Sequence, residues 1–119
     1  MKEGEEMITY GEFKKLFDVI PGEPEFELYF DHTENTYTII KYDDRVTFQR
    51  CGYMTGSGEA EYNSLADLYA ANLMDGICLQ EDWKHITDIV IDATFSVLSD
   101  IEDLLSSYNL EVWNKCRFA

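Results

Sequence analysis

QEDWKHITDIVIDATFSVLSDIEDLLSSY, residues 80–108, is the stretch that decides how this chain folds. Its run ITDIVID, Ile86 to Asp92, is rich in β-branched residues and favours a strand by propensity, yet apolar and polar residues do not alternate along it. At 100° per residue, Trp83, Ile86, Val90, Ala93, Val97, Ile101, Leu104 and Tyr108 fall on one stripe, with Ile89, Leu98 and Leu105 at its edges. His85, Asp88, Asp92, Ser99, Glu102, Asp103 and Ser106 lie opposite. With no Gly or Pro inside, the pattern predicts one long helix over 80–108, capped by Asn109, with a break near Thr94 to Ser99 as the alternative. Ile91 and Phe95 fall off the stripe and mark either a partner surface or a kink. Beyond it, Leu110, Val112, Trp113 and Phe118 form an apolar tail expected to pack on the core or on a second subunit.

Upstream, Ser64 with Asp67 three residues on reads as a helix start, giving a helix over about 65–75 that buries Leu65, Leu68, Tyr69 and Leu73 and closes at Asp75-Gly76. GYMTGSGEAEYN reads as a flexible link followed by a short strand at about 59–62. Before it, EFELYF, YTIIKY and RVTFQR read as strands joined by the turn-rich DHTENT and by Asp43-Asp44. Pairing Phe30 with Tyr37 and Tyr42 with Arg45 puts Phe26, Leu28, Phe30, Ile39, Val46 and Phe48 on an inner face, with Lys41 at the margin extending its ammonium to solvent. Glu25, Glu27, Tyr29, Thr38, Ile40, Tyr42, Arg45, Thr47 and Gln49 then share the outer, solvent face. At the N-terminal side, Thr9 with Glu12 forms a capping box and Ile8 with Phe13 a hydrophobic staple for a helix over about 10–19, which PGEP at 21–24 ends. Residues 1–7 are expected to fray, and Met7 is an alternative start.

The expected fold is therefore α+β: an N-terminal helix, a three- or four-stranded antiparallel meander, then two helices, the last one long, packed on one sheet face. A chain of 119 residues, 45% of them apolar, is the size of a single globular domain spanning 1–119. No apolar run reaches the roughly 20 residues of a membrane span, and MKEGEEMITYGEF lacks the apolar centre of a signal peptide, so a cytoplasmic location is expected. Three cysteines at unpatterned spacing, Cys51, Cys78 and Cys116, suggest reduced thiols rather than a disulfide framework or a zinc finger.

Charge is the most informative property. Nine Lys and Arg against 24 Asp and Glu leave a formal −15, which repels nucleic acid phosphates and anionic lipid and points to a basic partner. Residues 23–44 hold seven acids and one base, and residues 64–92 hold six and one, while 45–63 balance at two and two. Two acidic zones thus flank a neutral middle.

Chemistry-bearing residues are sparse. Glu25 and Glu27 project from one strand face about 7 Å apart, a spacing used by inverting glycosidases, but an exposed pair on a strand is also what a solvated face looks like. His85 has Asp82 and Asp88 three residues to either side, a chemically sensible start for a zinc or manganese site whose other ligands the spacing does not reveal. His32 beside Asp31 in a turn suggests local hydrogen bonding. Nothing adjacent activates Cys51 or Cys78 as a nucleophile, and Gly56-Ser57-Gly58 lacks the glycine spacing and lysine of a phosphate loop. No cofactor, resident metal or enzymatic activity is expected.

What remains is a small acidic protein-binding module whose contact residues are Glu25, Glu27, Tyr29, Tyr42, Asp43, Asp44, Asp88 and Asp92, tyrosines supplying contact area and carboxylates steering encounter. By analogy of size, charge and architecture, it reads as an inhibitor of the immunity or anti-restriction type from a microbial or phage system, engaging a basic, nucleic-acid-binding protein by imitating nucleic acid charge. Two alternatives stand beside it. One is a ligand-binding or hydrolytic domain with a cleft between sheet and long helix, using Cys51, His85, Glu25 and Glu27. The other is an accessory subunit, homodimeric or otherwise, whose tail NLEVWNKCRFA completes an oligomer.

Overall fold

Thr9 opens the first helix by accepting a hydrogen bond from the Glu12 backbone at 3.1 Å while Glu12 returns one from the Thr9 backbone at 2.9 Å. The helix that follows, α1 (Tyr10–Val19), buries Phe13, Leu16 and Phe17, and Ile8 is buried beside it as the staple predicts. The computed structural model describes residues 7–20, 22–51, 59–92, 103, 106 and 116–118, so of the tail 1–7 expected to fray only Met7, which is exposed, is described, and the Gly56 to Gly58 link lies outside the described residues.

Beyond α1 come β1 (Glu25–Phe30), β2 (Thr36–Lys41), β3 (Val46–Arg50) and β4 (Glu59–Tyr62), each antiparallel to the one before. Next are α2 (Leu65–Ala70), a 3-10 turn at Met74–Gly76, the single turn α3 (Leu79–Asp82) and a 3-10 turn at Trp83–His85. Ile86–Asp92 is then a strand, β5, lying antiparallel against β1, and Arg117–Phe118, β6, pairs parallel with β5. The sheet order is β4-β3-β2-β1-β5-β6, which makes β1 a central strand.

The arrangement is α+β, but β5 corrects the long helix expected over 80–108. Two features of Ile86–Asp92 disguise it. Thr87 is a bulge, an extra residue between the Tyr29–Asp88 and Phe30–Ile86 pairs, so Ile86 points to the same face as Ile89 and Ile91. Val90 is buried on the opposite face, at 8% exposure. A strand that buries apolar groups on both faces loses its alternation, and Ile86, Ile89 and Val90 then imitate helical spacing. Ile91 is accordingly neither kink nor partner surface: it is fully buried opposite Phe26. Asp103 and Ser106 are helical and exposed; Phe95, the Asn109 cap and the tail residues Leu110, Val112 and Trp113 fall outside the described residues.

Smaller corrections follow the same physics. The β1·β2 pairing places Leu28, not Phe30, opposite Tyr37, a shift of two that preserves the face of every side chain because the strand period is two. The inner face is as expected, with Tyr37, Ile89 and Ile91 added. On the outer face Thr38 and Thr47 are buried instead of solvent-facing: Thr38 stands between Glu27 and Gln49 and bonds the Cys51 thiol, and Thr47 stands between Ile40 and Glu61. Helix α2 starts at the predicted cap, with the Asp67 backbone donating to Ser64, but ends at Ala70. Leu73 turns away there and its N–H reaches the Ile77 carbonyl at 2.7 Å, so both Leu73 and Ile77 enter the core.

One buried cluster joins α1, α2 and the inner sheet face. Aromatic rings dominate it: Phe13 meets Phe26 edge-on at 5.1 Å, and Tyr37 stacks on Phe48 at 5.2 Å. The Trp83 indole donates to the Ile8 carbonyl at 2.9 Å, fixing the entry of α1 against the turn that leads into β5. Lys41 does not extend to solvent. Its ammonium donates to the Phe17 carbonyl at 2.5 Å and the Ile20 carbonyl at 2.9 Å, satisfying the C-terminal end of α1 where the helix dipole favours a cation.

Candidate functional site

β1 carries charge chemistry to both of its ends. At the start of the strand, Glu25 stands directly across from Asp92, and both are exposed. The β2–β3 turn, with Asp43 and Asp44 exposed, lies beside them because the Lys41 backbone bonds the Pro24 carbonyl at 3.1 Å. Glu61 of β4 completes the group through Arg45, whose guanidinium bonds Glu61 at 3.1 Å and Asp44 at 2.8 Å while covering the Tyr42 ring at 4.2 Å. Among the described residues no cation pairs with Glu25 or Asp92.

The pairing of β1 with β5 therefore brings together the two acidic zones of the sequence. Glu25, Tyr42, Asp43, Asp44 and Asp92 gather at one end of the sheet, and Glu27, half-buried opposite Val90, continues the same face. Tyr29 and Asp88 are also paired and on this face, but at its far end, where Asp88 is held by Arg117 at 2.5 Å. Asp88 thus lies apart from His85 as a ligand partner.

The far end of β1 holds a second constellation. Asp31 and His32 follow β1 directly and His85 precedes β5 directly, so the ladder sets them side by side, with the Asp31 N–H donating to the His85 carbonyl at 2.8 Å. His85 Nδ1 lies 2.9 Å from Asp31 Oδ1; a carboxylate only accepts, so Nδ1 carries the proton. The His32 and His85 rings stack with centroids 4.3 Å apart and 15° between planes. Asp82 approaches from α3, its Oδ1 3.8 Å from His32 Nε2 while Oδ2 accepts the Cys78 N–H at 2.9 Å. The sequence pointed to Asp82 with His85 and to Asp31 with His32 as separate pairs; the structure joins them.

A third cluster carried no sequence signal. Asp75 adopts the left-handed conformation at φ 59°, accepts the Tyr37 hydroxyl at 2.7 Å and pairs with Arg50 at 2.9 Å. The Tyr37 hydrogen bond, with Arg50 assisting, holds its carboxyl below the ordinary aspartate range.

The thiols are separated. Cys51 contacts Thr38 Oγ1 at 2.5 Å, Cys78 stands at the start of α3 with its backbone N–H bonded to Asp82, and Cys116 is buried, where desolvation, with Asp88 and Glu12 nearby, pushes its thiol up to about 12. No helix among the described residues is long and apolar enough to cross a membrane. Comparison with protein-family models, with curated proteins and with solved structures finds no match.

Proposed function

We propose that this chain is a small acidic protein-binding module that engages a basic protein surface through the Glu25–Asp92 end of its sheet. The observation that carries the reading is the pairing of those two carboxylates. Like charges directly opposed on an antiparallel ladder cost stability, of the order of a few tenths of a kcal/mol, and both side chains are exposed with no described cation between them. An arrangement that repels itself in the free protein is relieved when a cationic surface covers it.

The surroundings fit such a contact. Asp43, Asp44 and Glu61 extend the negative surface around Glu25 and Asp92, and Tyr42 contributes an aromatic face already covered by the Arg45 guanidinium. Carboxylates alternating along strands about 7 Å apart give a row of fixed negative charges, the property through which an inhibitor of the immunity or anti-restriction type would occupy a groove built for phosphates. This reading places the protein in the cytoplasm, where its three cysteines stay reduced.

Capture from an extract of the source cells at low and at moderate salt, repeated with the E25Q/D92N variant, tests the proposal. A basic partner is expected that binds the native chain, weakens as salt rises and is lost with the variant. A captured partner that is acidic, or one held equally by the variant and at both salt concentrations, overturns it.

A further inference from the structure

We propose that Asp31, His32 and His85, with Asp82 beside them, bind one zinc-class divalent cation at the junction of β1 and β5. The site is separate from the acidic end of the sheet and rests on different residues. One ligand atom from each of Asp31, His32 and His85 lies within 4.8 Å of the others. Around a tetrahedral zinc at about 2.0–2.2 Å from each ligand, those atoms stand about 3.3–3.5 Å apart, so side-chain rotations, including one imidazole leaving its stack, close the cluster.

The chemistry of the donors fits the ion. Two imidazoles and carboxylate oxygen form a mixed nitrogen and oxygen set that suits zinc and disfavours calcium or magnesium, which take oxygen. The proton on His85 Nδ1 already sits between nitrogen and the Asp31 carboxylate, and a cation in its place keeps both atoms as ligands. Asp82 Oδ1 lies 3.8 Å from His32 Nε2, and its partner oxygen is anchored by the Cys78 N–H. Three features preorganise the site: the Asp31–His85 backbone bond, the β1·β5 ladder behind it, and the anchored Asp82. The −15 charge of the chain adds a long-range attraction for cations.

Binding also has a geometric signature. Two rings stacked at 15° cannot both hold one cation in their planes, so loading must turn at least one imidazole out of the stack.

Titration of zinc chloride into the full chain, followed by calorimetry, thermal unfolding and the proton resonances of the two histidine rings, tests the site. One zinc per chain is expected, with a midpoint that rises with the logarithm of zinc concentration and with both histidines losing the ring-current shielding of the stack. H32A and H85A, each checked for native circular dichroism, should weaken binding by about tenfold or more. E25Q/D92N and C51S should bind as the native chain does. The inference is overturned if the native histidine resonances do not move on saturation, if H32A and H85A bind unchanged, if C51S loses the ion, or if calcium or magnesium at equal concentration displaces it.

Discussion

At the scale of single residues, the most consequential side chains are polar groups placed against the ends of other elements. Lys41 is one: its stem lies along the core and its ammonium closes the carbonyl end of α1, with burial lowering its pKa from the ordinary lysine value. Replacing Lys41 with Met keeps the apolar stem and leaves those carbonyls without the cation. Urea unfolding of K41M should show a loss of about 1.5–3 kcal/mol with an unchanged slope. Asp75 is the other. Because its folded pKa is depressed by Tyr37 and Arg50, its contribution to stability is complete above the ordinary aspartate value of 3.8 and is lost as acid takes the pH down through the lowered folded value. Y37F should therefore be less stable at neutral pH by about 1 kcal/mol and show a shallower loss of stability in acid, measured by urea midpoints across pH 2–5. Neither role was legible in the sequence. The strand pattern placed Lys41 at a margin but not against a helix end, and Asp75 read as a helix stop because its two partners belong to distant strands.

At the scale of elements, local signals are legible in the sequence and strand pairing is not. The box of Thr9 and Glu12 specified α1 because both groups lie within one turn, and the faces of β1, β2 and β3 followed from period two even though the β1·β2 register is displaced by two. β5 is not legible because Thr87 and Val90 erase its alternation, and everything that depends on β5 is hidden with it. Asp31 and His85 are 54 positions apart and meet only through the β1·β5 ladder, which also sets Glu25 against Asp92. That ladder makes a specific forecast. Asp92→Lys converts a repelling cross-strand pair into an attracting one and should raise the free energy of unfolding by up to about 1 kcal/mol, read from the urea midpoint. If Glu25 and Asp92 serve partner binding, the same substitution should stabilise the chain while abolishing capture, the expected opposition between stability and activity at a functional surface.

At the scale of the whole molecule, β1 separates two ends of different character, about 20 Å apart by strand rise: a carboxylate end at Glu25 and a histidine end at Asp31. The docking of β6 on β5 seals a third feature, Cys116, whose thiol burial keeps it protonated throughout the physiological range. Iodoacetamide under native conditions should label Cys51 and Cys78, both half-buried, well before Cys116, and mass spectrometry in urea should find all three labelled equally. Early labelling of Cys116 would show that β6 opens.

The central position of β1 has a consequence for how the chain is made. β1 to β4 are neighbours in sequence as well as in space, so their hairpins close short loops, whereas β5 must return across nearly half of the chain to reach the other side of β1. During synthesis the meander emerges first, and until Ile86 to Asp92 follows, the strand bearing Phe26, Leu28 and Phe30 offers an open edge to any other nascent chain. Refolding kinetics should reflect this order, with Ile91→Val speeding unfolding far more than it slows folding and Ile39→Val doing more to slow folding. The last strand to arrive is the one that turns β1 from a sticky border into an interior.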